Sequence, residues 1–242
     1  MDKSTSENSP THLYLIRHGE SAPNVRPIMG GMRGDAGLTA LGVSQAQRLR
    51  DRLASTGEII VDALISSTLP RARETAVIIA PALGLPIQFD DEVQEMRPGD
   101  ADGMNSDEAR EKFGWNLPWD VHRPLGPGGE SWSSFLLRVH SVLHNISQAY
   151  AGKTVVVVCH GGVIDGSLLC RSGVSPLILP PIRFDTINTS ITYWQRHPAA
   201  DSARPWRLMR YNDSTHLNDL RGRPIYGHAQ GEQSAVPLPT EG

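Results

Sequence analysis

The chain has 242 residues, of which 39% are hydrophobic and 20% are charged, and its formal net charge at pH 7 is −3. This composition is typical of one globular domain and excludes the strongly basic surface that nucleic acid or anionic lipid would require. The two cysteines are too few for a disulfide framework, which favours a reducing compartment. Because no apolar run approaches the ~20 residues of a membrane span, and residues 1–10 do not resemble a signal peptide, we expect a cytoplasmic protein.

Segments with strand and helix patterns alternate along most of the chain. The predicted strands are 13–16, 61–66, 86–89 at an edge, and 154–159, which is apolar enough for the middle of a parallel sheet. The predicted helices are 38–55 with Thr39 as its cap, 71–83, a long amphipathic helix marked from Trp132 to Ile146, and 163–171. Residues 189–194 and 206–211 alternate like a hairpin.

This order predicts an α/β fold, a three-layer α/β/α sandwich with a mainly parallel central sheet and a small inserted cap. A single catalytic domain is expected over 11–227, between disordered tails at 1–10 and 228–242. The cap is expected at about 90–130, and a loop rich in Gly, Pro and Met at 24–37 is expected to cover the site. The sequence allows a homodimer, and no membrane or nucleic-acid partner is expected.

Two histidines follow buried strands, and each is followed by glycine. Arg17-His18-Gly19 comes after the first strand, and His160-Gly161 comes after 154–159. A lone histidine at a strand end is usually structural or simply exposed. Ligands of open α/β sheets bind at the carboxyl ends of the strands, however, so the two corners together predict one site.

The residue types at these corners suit transfer of a phosphoryl group onto imidazole nitrogen. A neutral imidazole can attack a phosphate dianion that repels anionic nucleophiles, provided that its other nitrogen is held by a hydrogen bond. Arg17 and Arg71 would supply fixed cationic donors to the phosphoryl oxygens, helped by helix N-terminal N–H groups. Gly19 is expected to turn tightly and to offer a free N–H, and His160 to act as a donor when protonated.

The chain resembles the histidine phosphatase superfamily, also called phosphoglycerate-mutase-like, from about residue 13 to 217. The segments that carry the resemblance are Leu15 to Ser21 with Asn24, Asp35 with Leu38-Thr39, Gly42 with Gln45-Ala46, Ser66-Ser67 with Arg71-Ala72 and Thr75-Ala76, Pro127 to Ser131, and His160-Gly161-Gly162. The resemblance implies that His18 becomes phosphohistidine. It also implies that Arg17, Arg71, His160 and Gly161 bind the phosphoryl group, that Asn24 lines the same pocket, and that the fold and chemistry are those of the phosphatase branch.

The family's proton donor precedes glycines four and eight residues further on, a spacing that Glu95, Gly99 and Gly103 match here. Pro98 and Ala101 replace the usual aromatics and Asp102 replaces a common glutamate, which leaves Glu95 as the best candidate and Glu92 as the alternative. In this mechanism Glu95 would protonate the leaving oxygen and then activate water. No metal or other cofactor is expected, and the partner would be a small phosphorylated metabolite.

Other functions and sites remain open or are disfavoured. A phosphoglycerate mutase is the main alternative to a phosphatase, although Pro23 stands where similar mutases have tryptophan and the cap has no long basic run. An inactive binding member of the fold is the third hypothesis. Cap and loop residues could line the substrate pocket or belong to the core: Trp115, Trp119, Met104, Met29 and Met32. His140 and His144 as a metal pair, and Cys159 as a nucleophile, are disfavoured.

Overall fold

The computed structural model describes residues 9–115, 120–198 and 205–220. Within them, one six-stranded sheet has the order β3-β2-β4-β1-β5-β6. Its strands are β1 Thr11–Arg17, β2 Ala63–Ser67, β3 Ile87–Asp90, β4 Thr154–Cys159, β5 Ile191–Arg196 and β6 Trp206–Asp213. Strands β1 to β4 are parallel to their neighbours among these four, and β5 and β6 are added antiparallel. The mainly parallel sheet and the terminal hairpin are therefore confirmed.

Helices cover both faces of the sheet. They are α1 Ala22–Val25, α2 Ala40–Thr56, α3 Pro70–Leu83, α4 Ser106–Phe113, α5 Trp132–Ala149 and α6 Gly161–Arg171. Successive side chains of β4 point to opposite faces, so Val156 and Val158 join one core cluster with α2 and α3, whereas Val155 and Val157 join another with α5 and α6. This is the predicted three-layer sandwich. No helix in the described part of the chain is long and apolar enough to cross a membrane.

The observed bounds follow the predicted signals closely. Thr39 caps α2, accepting a hydrogen bond from the Gly42 N–H at 3.0 Å, and Pro70 occupies the first turn of α3. Helix α3 ends at Gly84, whose φ of +68° is the left-handed conformation that glycine adopts readily. Of the predicted tails, only Ser9 and Pro10 are among the described residues. The C-terminal tail at 228–242, and the last part of the predicted domain at 221–227, lie outside them.

The cap segment and the 24–37 loop contact each other. The cap contains short 3₁₀ turns and α4, which the sequence analysis did not predict, and the loop begins with the equally unpredicted α1. The carboxylate of Asp102 accepts hydrogen bonds at 2.9 Å from three backbone N–H groups of the loop: those of Gly31, Arg33 and Gly34. Asp102, noted in the sequence only as a departure from the family pattern, thus joins the cap to the loop.

Candidate active site

The two histidine corners lie side by side because β1 and β4 are neighbouring parallel strands in register. Arg17, the last residue of β1, pairs with Cys159, the last residue of β4, and the His18 N–H donates to the Cys159 carbonyl at 3.0 Å. The ring centroids of His18 and His160 are 5.1 Å apart. Sequence adjacency to two strand ends was therefore sufficient to bring these residues together.

His18 is held as a neutral imidazole with its proton on Nδ1. Nδ1 lies 2.6 Å from the Gly19 carbonyl, which can only accept, and Nε2 accepts a hydrogen bond from Arg71 Nε at 3.0 Å. Both contacts assign the proton to the same nitrogen. Burial, and then the charges of Arg71 and Arg17, hold the pKa of His18 well below its usual range. Nε2 consequently carries a lone pair, which accepts the Arg71 hydrogen bond in the ligand-free site.

Arg71 is fixed by a buried ion pair with Asp35. The Arg71 Nη1 lies 2.8 Å from Asp35 Oδ2, and the two side chains are 4% and 0% exposed. Arg71 Nη1 also donates to the Gly30 carbonyl at 3.0 Å. Because Asp35 and the Gly30 carbonyl both hold the guanidinium group of Arg71, its Nε is directed at His18 with little freedom to rotate.

Arg17 and His160 present polar nitrogens without partners among the described residues. Arg17 Nη1 donates to the Thr186 carbonyl, whereas its Nε is buried and unbonded. His160 is completely buried, its Nε2 lies 2.8 Å from Ser67 Oγ, and its Nδ1 is unbonded. Buried polar atoms are nearly always satisfied, so two orphaned nitrogens beside His18 indicate a place for an oxygen-bearing ligand.

In the ligand-free site the surroundings of His160 favour its neutral form, whereas the sequence analysis expected it to donate when protonated. Burial, and then the charges of Arg71 and Arg17, lower the pKa of His160 well below its usual value. The ring is therefore neutral, and it can donate only through the nitrogen that carries its single proton.

The expectation of a free Gly19 N–H was wrong, and the first N–H of α3 at Arg71 is likewise used within the protein. The Gly19 N–H donates to Thr75 Oγ1 at 3.0 Å and so is not free for a ligand. Glycine is required at 19 because a Cβ would clash with the Gly42 carbonyl of α2, and its φ is not positive. At the start of α3, the Arg71 N–H donates to Asp35 at 3.2 Å, so this N-terminus binds a side chain of the protein itself.

Asn24 is oriented by a residue that sequence reasoning missed. Its Oδ1 accepts from the backbone N–H and the hydroxyl of Ser21, both at 3.0 Å, which leaves the Nδ2 amide as the donor it can offer a ligand. Asn188 Nδ2 donates to the His18 carbonyl at 2.9 Å and lies 3.4 Å from Asn24 Oδ1. Asn188 lies 170 residues from His18, and no local pattern marks it.

Glu95 faces the same cavity from the cap side. Its two carboxylate oxygens accept hydrogen bonds from the backbone N–H groups of Met96, at 3.0 Å, and Gly162, at 2.9 Å. A Cβ at position 162 would collide with the carboxylate, so glycine there permits this approach. Glu92, the alternative proton donor, is exposed and paired with Arg97 at 2.8 Å, away from the cavity.

Arg138 of α5 anchors the segment that carries Glu95. It forms a forked ion pair with Glu130, at 2.6 and 2.7 Å, and donates to the carbonyls of Glu92, Gln94 and Glu95. Hydrogen bonds from Arg138 and Arg97 outweigh burial and lower the pKa of Glu130. The sequence analysis included Glu130 in a segment that resembles the family. Its partner Arg138 could not be inferred from the spacing of residues along the chain.

These groups surround a cavity of about 350 Å³. It is lined by Arg17, His18, Pro23, Asn24, Ile28, Met29, Gly30, Arg71, Glu95, Met96, Pro98, Leu125, Gly161, Gly162, Asp165, Phe184 and Thr186. His160 lies beneath this surface. Of the cap and loop residues considered for an apolar wall, Met29 lines the cavity, Trp115 instead donates to the Leu125 carbonyl at 2.8 Å, and Trp119 lies outside the described residues.

The residues of the two disfavoured sites lie on the exposed face of α5 and at the buried end of β4. His140 and His144 stack on the exposed side of α5 with centroids 6.5 Å apart. Cys159 is completely buried, and burial raises the pKa of its thiol far above the usual value, which opposes formation of a thiolate nucleophile. Across the described ranges, no group of three or more His, Cys, Asp or Glu side chains is placed to hold a metal ion.

Fold and site together define an α/β protein with a buried histidine–arginine centre at the carboxyl ends of its strands. Residues 13–213 match the histidine phosphatase superfamily, branch 1, and the chain belongs to this family.

The relatives carry both mutase and phosphatase names. The chain is 33% identical over 175 residues to a 2,3-bisphosphoglycerate-dependent phosphoglycerate mutase from Afipia carboxidovorans, a match covering 68% of this chain and 82% of the relative. It is 30% identical over 212 residues to an uncharacterized phosphatase, PhoE, from Bacillus subtilis, covering 86% and 97%. A solved phosphoserine phosphatase mutant from Entamoeba histolytica, in complex with phosphoserine, is 26% identical with a TM-score of 0.65, covering 86% of this chain and 99% of that one.

Proposed function

We propose that this protein is a metal-independent phosphomonoesterase that hydrolyses a small phosphorylated metabolite through a phosphohistidine on His18. The observation that carries the proposal is the state of the His18 ring. It is neutral, its Nδ1 proton is fixed by the Gly19 carbonyl, its Nε2 lone pair faces Arg71 Nε, and the charges of Arg71 and Arg17 help to keep it unprotonated. A nucleophile of this kind has no negative charge to repel a phosphate dianion.

In the first half-reaction, Nε2 of His18 attacks phosphorus and the ester P–O bond breaks. Arg71 Nε, which donates to Nε2 in the ligand-free site, transfers its hydrogen bond to an oxygen of the entering phosphoryl group. Arg17 Nε, Asn24 Nδ2 and the protonated nitrogen of His160 complete the donor set around the equatorial oxygens. Glu95 gives its proton to the leaving oxygen as the alcohol departs.

In the second half-reaction, water replaces the alcohol next to Glu95. The carboxylate takes a proton from that water while its oxygen attacks phosphorus and the P–N bond breaks. Inorganic phosphate leaves, and His18 and protonated Glu95 are restored for the next cycle. Two guanidinium groups supply the positive charge of this site, so the cycle is written without a metal.

The charges of the cavity support hydrolysis over isomerisation. Among its described lining residues, Arg17 and Arg71 are the cations, and both are assigned to a single phosphoryl group. A mutase acting on phosphoglycerate must also bind a carboxylate and a second phosphoryl position, for which further cationic side chains would be expected. The mutase remains the second candidate because the Afipia relative bears that name.

The decisive experiment is rapid quenching with a labelled phosphomonoester in the presence of EDTA. We expect acid-labile, base-stable label on the wild-type protein and on His144→Ala, an exposed-histidine control, but none on His18→Ala, which should also lose turnover. Absence of label from the wild type during turnover would refute the phosphohistidine. A parallel assay with 3-phosphoglycerate separates the two candidates, since a mutase would isomerise it faster than it releases phosphate.

A further inference from the structure

Asp165 is a carboxylate of the cavity that the reaction above does not use. It lies on α6, one turn after Gly161, is half-buried, and lines the cavity together with Phe184 and Thr186. Its Oδ1 accepts a hydrogen bond from Thr186 Oγ1 at 3.1 Å. The other oxygen, Oδ2, has no hydrogen-bond partner among the described residues.

No lysine or arginine in the described ranges forms an ion pair with Asp165. Arg17, the nearest charge that favours its ionised form, instead bonds to the Thr186 carbonyl. Burial, followed by the charges of Glu95 and Asp185, raises the pKa of Asp165 to about 7. The carboxylate is therefore uncompensated in the ligand-free cavity, and a cation would relieve that cost.

We propose that Asp165 binds an ammonium group on the alcohol portion of the substrate, so that the preferred substrates are phosphomonoesters of amino alcohols. This inference rests on the proposed function, because it assigns the phosphoryl end of the substrate to Arg17 and Arg71. Arg17, Arg71 and Asp165 all line this one cavity, so a substrate held by its phosphoryl group at the arginines can present a cationic group to Asp165.

The neighbours of Asp165 favour a cation over a neutral hydroxyl. A hydroxyl could satisfy Oδ2 but would leave the charge uncompensated, whereas an ammonium does both. Phe184, two residues before Thr186, adds an aromatic ring to the lining of the cavity, and aromatic faces attract ammonium groups. A substrate carboxylate at this position would meet like charge and bind poorly, which also argues against phosphoglycerate.

The test compares three esters of nearly equal size: 2-aminoethyl, 2-hydroxyethyl and carboxymethyl phosphate. At pH 8 we expect kcat/KM to be about tenfold or more higher for the amino ester than for the hydroxy ester, the usual size of one charged hydrogen bond. The carboxymethyl ester should be the poorest. Asp165→Asn should bring the amino-to-hydroxy ratio close to one.

Asp185→Asn is the matched control. This substitution also removes one negative charge near Asp165. Because Asp185 is exposed and does not line the cavity, the variant should keep the wild-type amino-to-hydroxy ratio. A ratio near one in the wild type, or an unchanged ratio in Asp165→Asn, would overturn the proposal. If no ester, including an aryl phosphate, is hydrolysed through His18, the proposed function itself has failed.

The pH dependence of the amino-to-hydroxy ratio in the wild type tests the proposal without relying on the folding of a variant. Asp165 is faced by Glu95 from the cap, Arg17 from β1, Asp185 from the loop before β5, and Tyr211 of β6 through Thr186. Because the ammonium prefers ionised Asp165, the amino-to-hydroxy ratio should rise between pH 6 and pH 8, while ionisation of the phosphate cancels between the two esters. A ratio that stays level across this interval would contradict the assignment.

Discussion

The floor and the rim of the cavity are built differently. On the floor, His18, Arg71 and His160 are 3%, 4% and 0% exposed. Their side chains are held by hydrogen bonds to protein groups. On the rim, Met29, Met96 and Phe184 are only partly buried and come from the 24–37 loop, the cap and the segment before β5. The comparison teaches that the two histidines are positioned by strand ends, whereas much of the rim comes from loops, which can vary more independently of the fold.

Replacing Glu95, which lies on the cap segment, should have the largest effect on activity of the substitutions considered below. We expect Glu95→Gln to lower kcat for an alkyl phosphate by ~10²–10⁴-fold, because a strongly basic leaving oxygen needs a proton in the transition state. An aryl phosphate, with a better leaving group, should be affected much less. Steady-state assays of both esters check this, and Glu92→Gln, an exposed neighbour in the same segment, should behave like the wild type. Equal activity of Glu95→Gln on the alkyl ester would show that another group is the acid.

Breaking the floor should affect stability as well as activity. Asp35→Asn leaves the buried guanidinium of Arg71 without its counter-charge, and removal of one partner from a buried pair typically costs ~3–5 kcal/mol. Urea unfolding measures this loss. Asp51→Asn removes a partner from the exposed pair with Arg50 and should change the free energy of unfolding by less than ~1 kcal/mol. If the two variants were equally stable, the Asp35–Arg71 pair would not be the support inferred here.

Arg138 joins the floor to the rim and should be a positioning residue. Arg138→Lys keeps the charge but loses the forked contact with Glu130 and the bonds to the segment carrying Glu95. Small misplacement of a catalytic group lowers kcat substantially, so we expect a loss of about 10–100-fold on alkyl phosphates. The selective readout is the alkyl-to-aryl ratio of kcat, which purely structural damage would leave unchanged. Arg110→Lys, in an exposed pair with Asp107, serves as the control.

The buried histidines should make the floor sensitive to acid. The pKa values of His18 and His160 are lowered in the folded state, so below about 6.5 the unfolded chain binds protons that the folded chain does not. Stability is therefore present above that pH and falls as the pH decreases toward the folded-state values, by up to ~1.4 kcal/mol per pH unit for each group. Between pH 6 and 5, His18→Asn should reduce this slope by about one proton relative to the wild type. Urea unfolding at a series of pH values measures the slopes.

The sequence predicted the floor better than the rim, for a physical reason. Strand 154–159 is continuously apolar and 38–55 has a helical stripe, so their place in the layers follows from periodicity, and His18 and His160 are located by the strands that precede them. Asn188 and Asp165 have no such local signal. Their contacts depend on how the segment before β5 folds back over β1 and on which turn of α6 reaches the cavity, and both are tertiary facts.

The cap was the least predictable part. Asp102 and Arg138 act through backbone groups of distant segments, which sequence spacing does not encode. The sequence analysis placed Gly19 in the site correctly but predicted that its N–H would be free. The structure shows that glycine is required there by close packing against α2, and that its N–H donates to Thr75. A short motif therefore located the residue correctly while leaving its physical role to be found in the packing.

In the proposed mechanism, the hydrogen bond from Arg71 to Nε2 means that the ligand-free protein masks the nucleophilic atom. An electrophile without negatively charged oxygens has nothing to offer the guanidinium in exchange and finds the lone pair occupied. A phosphoryl oxygen can accept the Arg71 hydrogen bond instead, so in that mechanism entry of the substrate and exposure of the imidazole lone pair are a single movement.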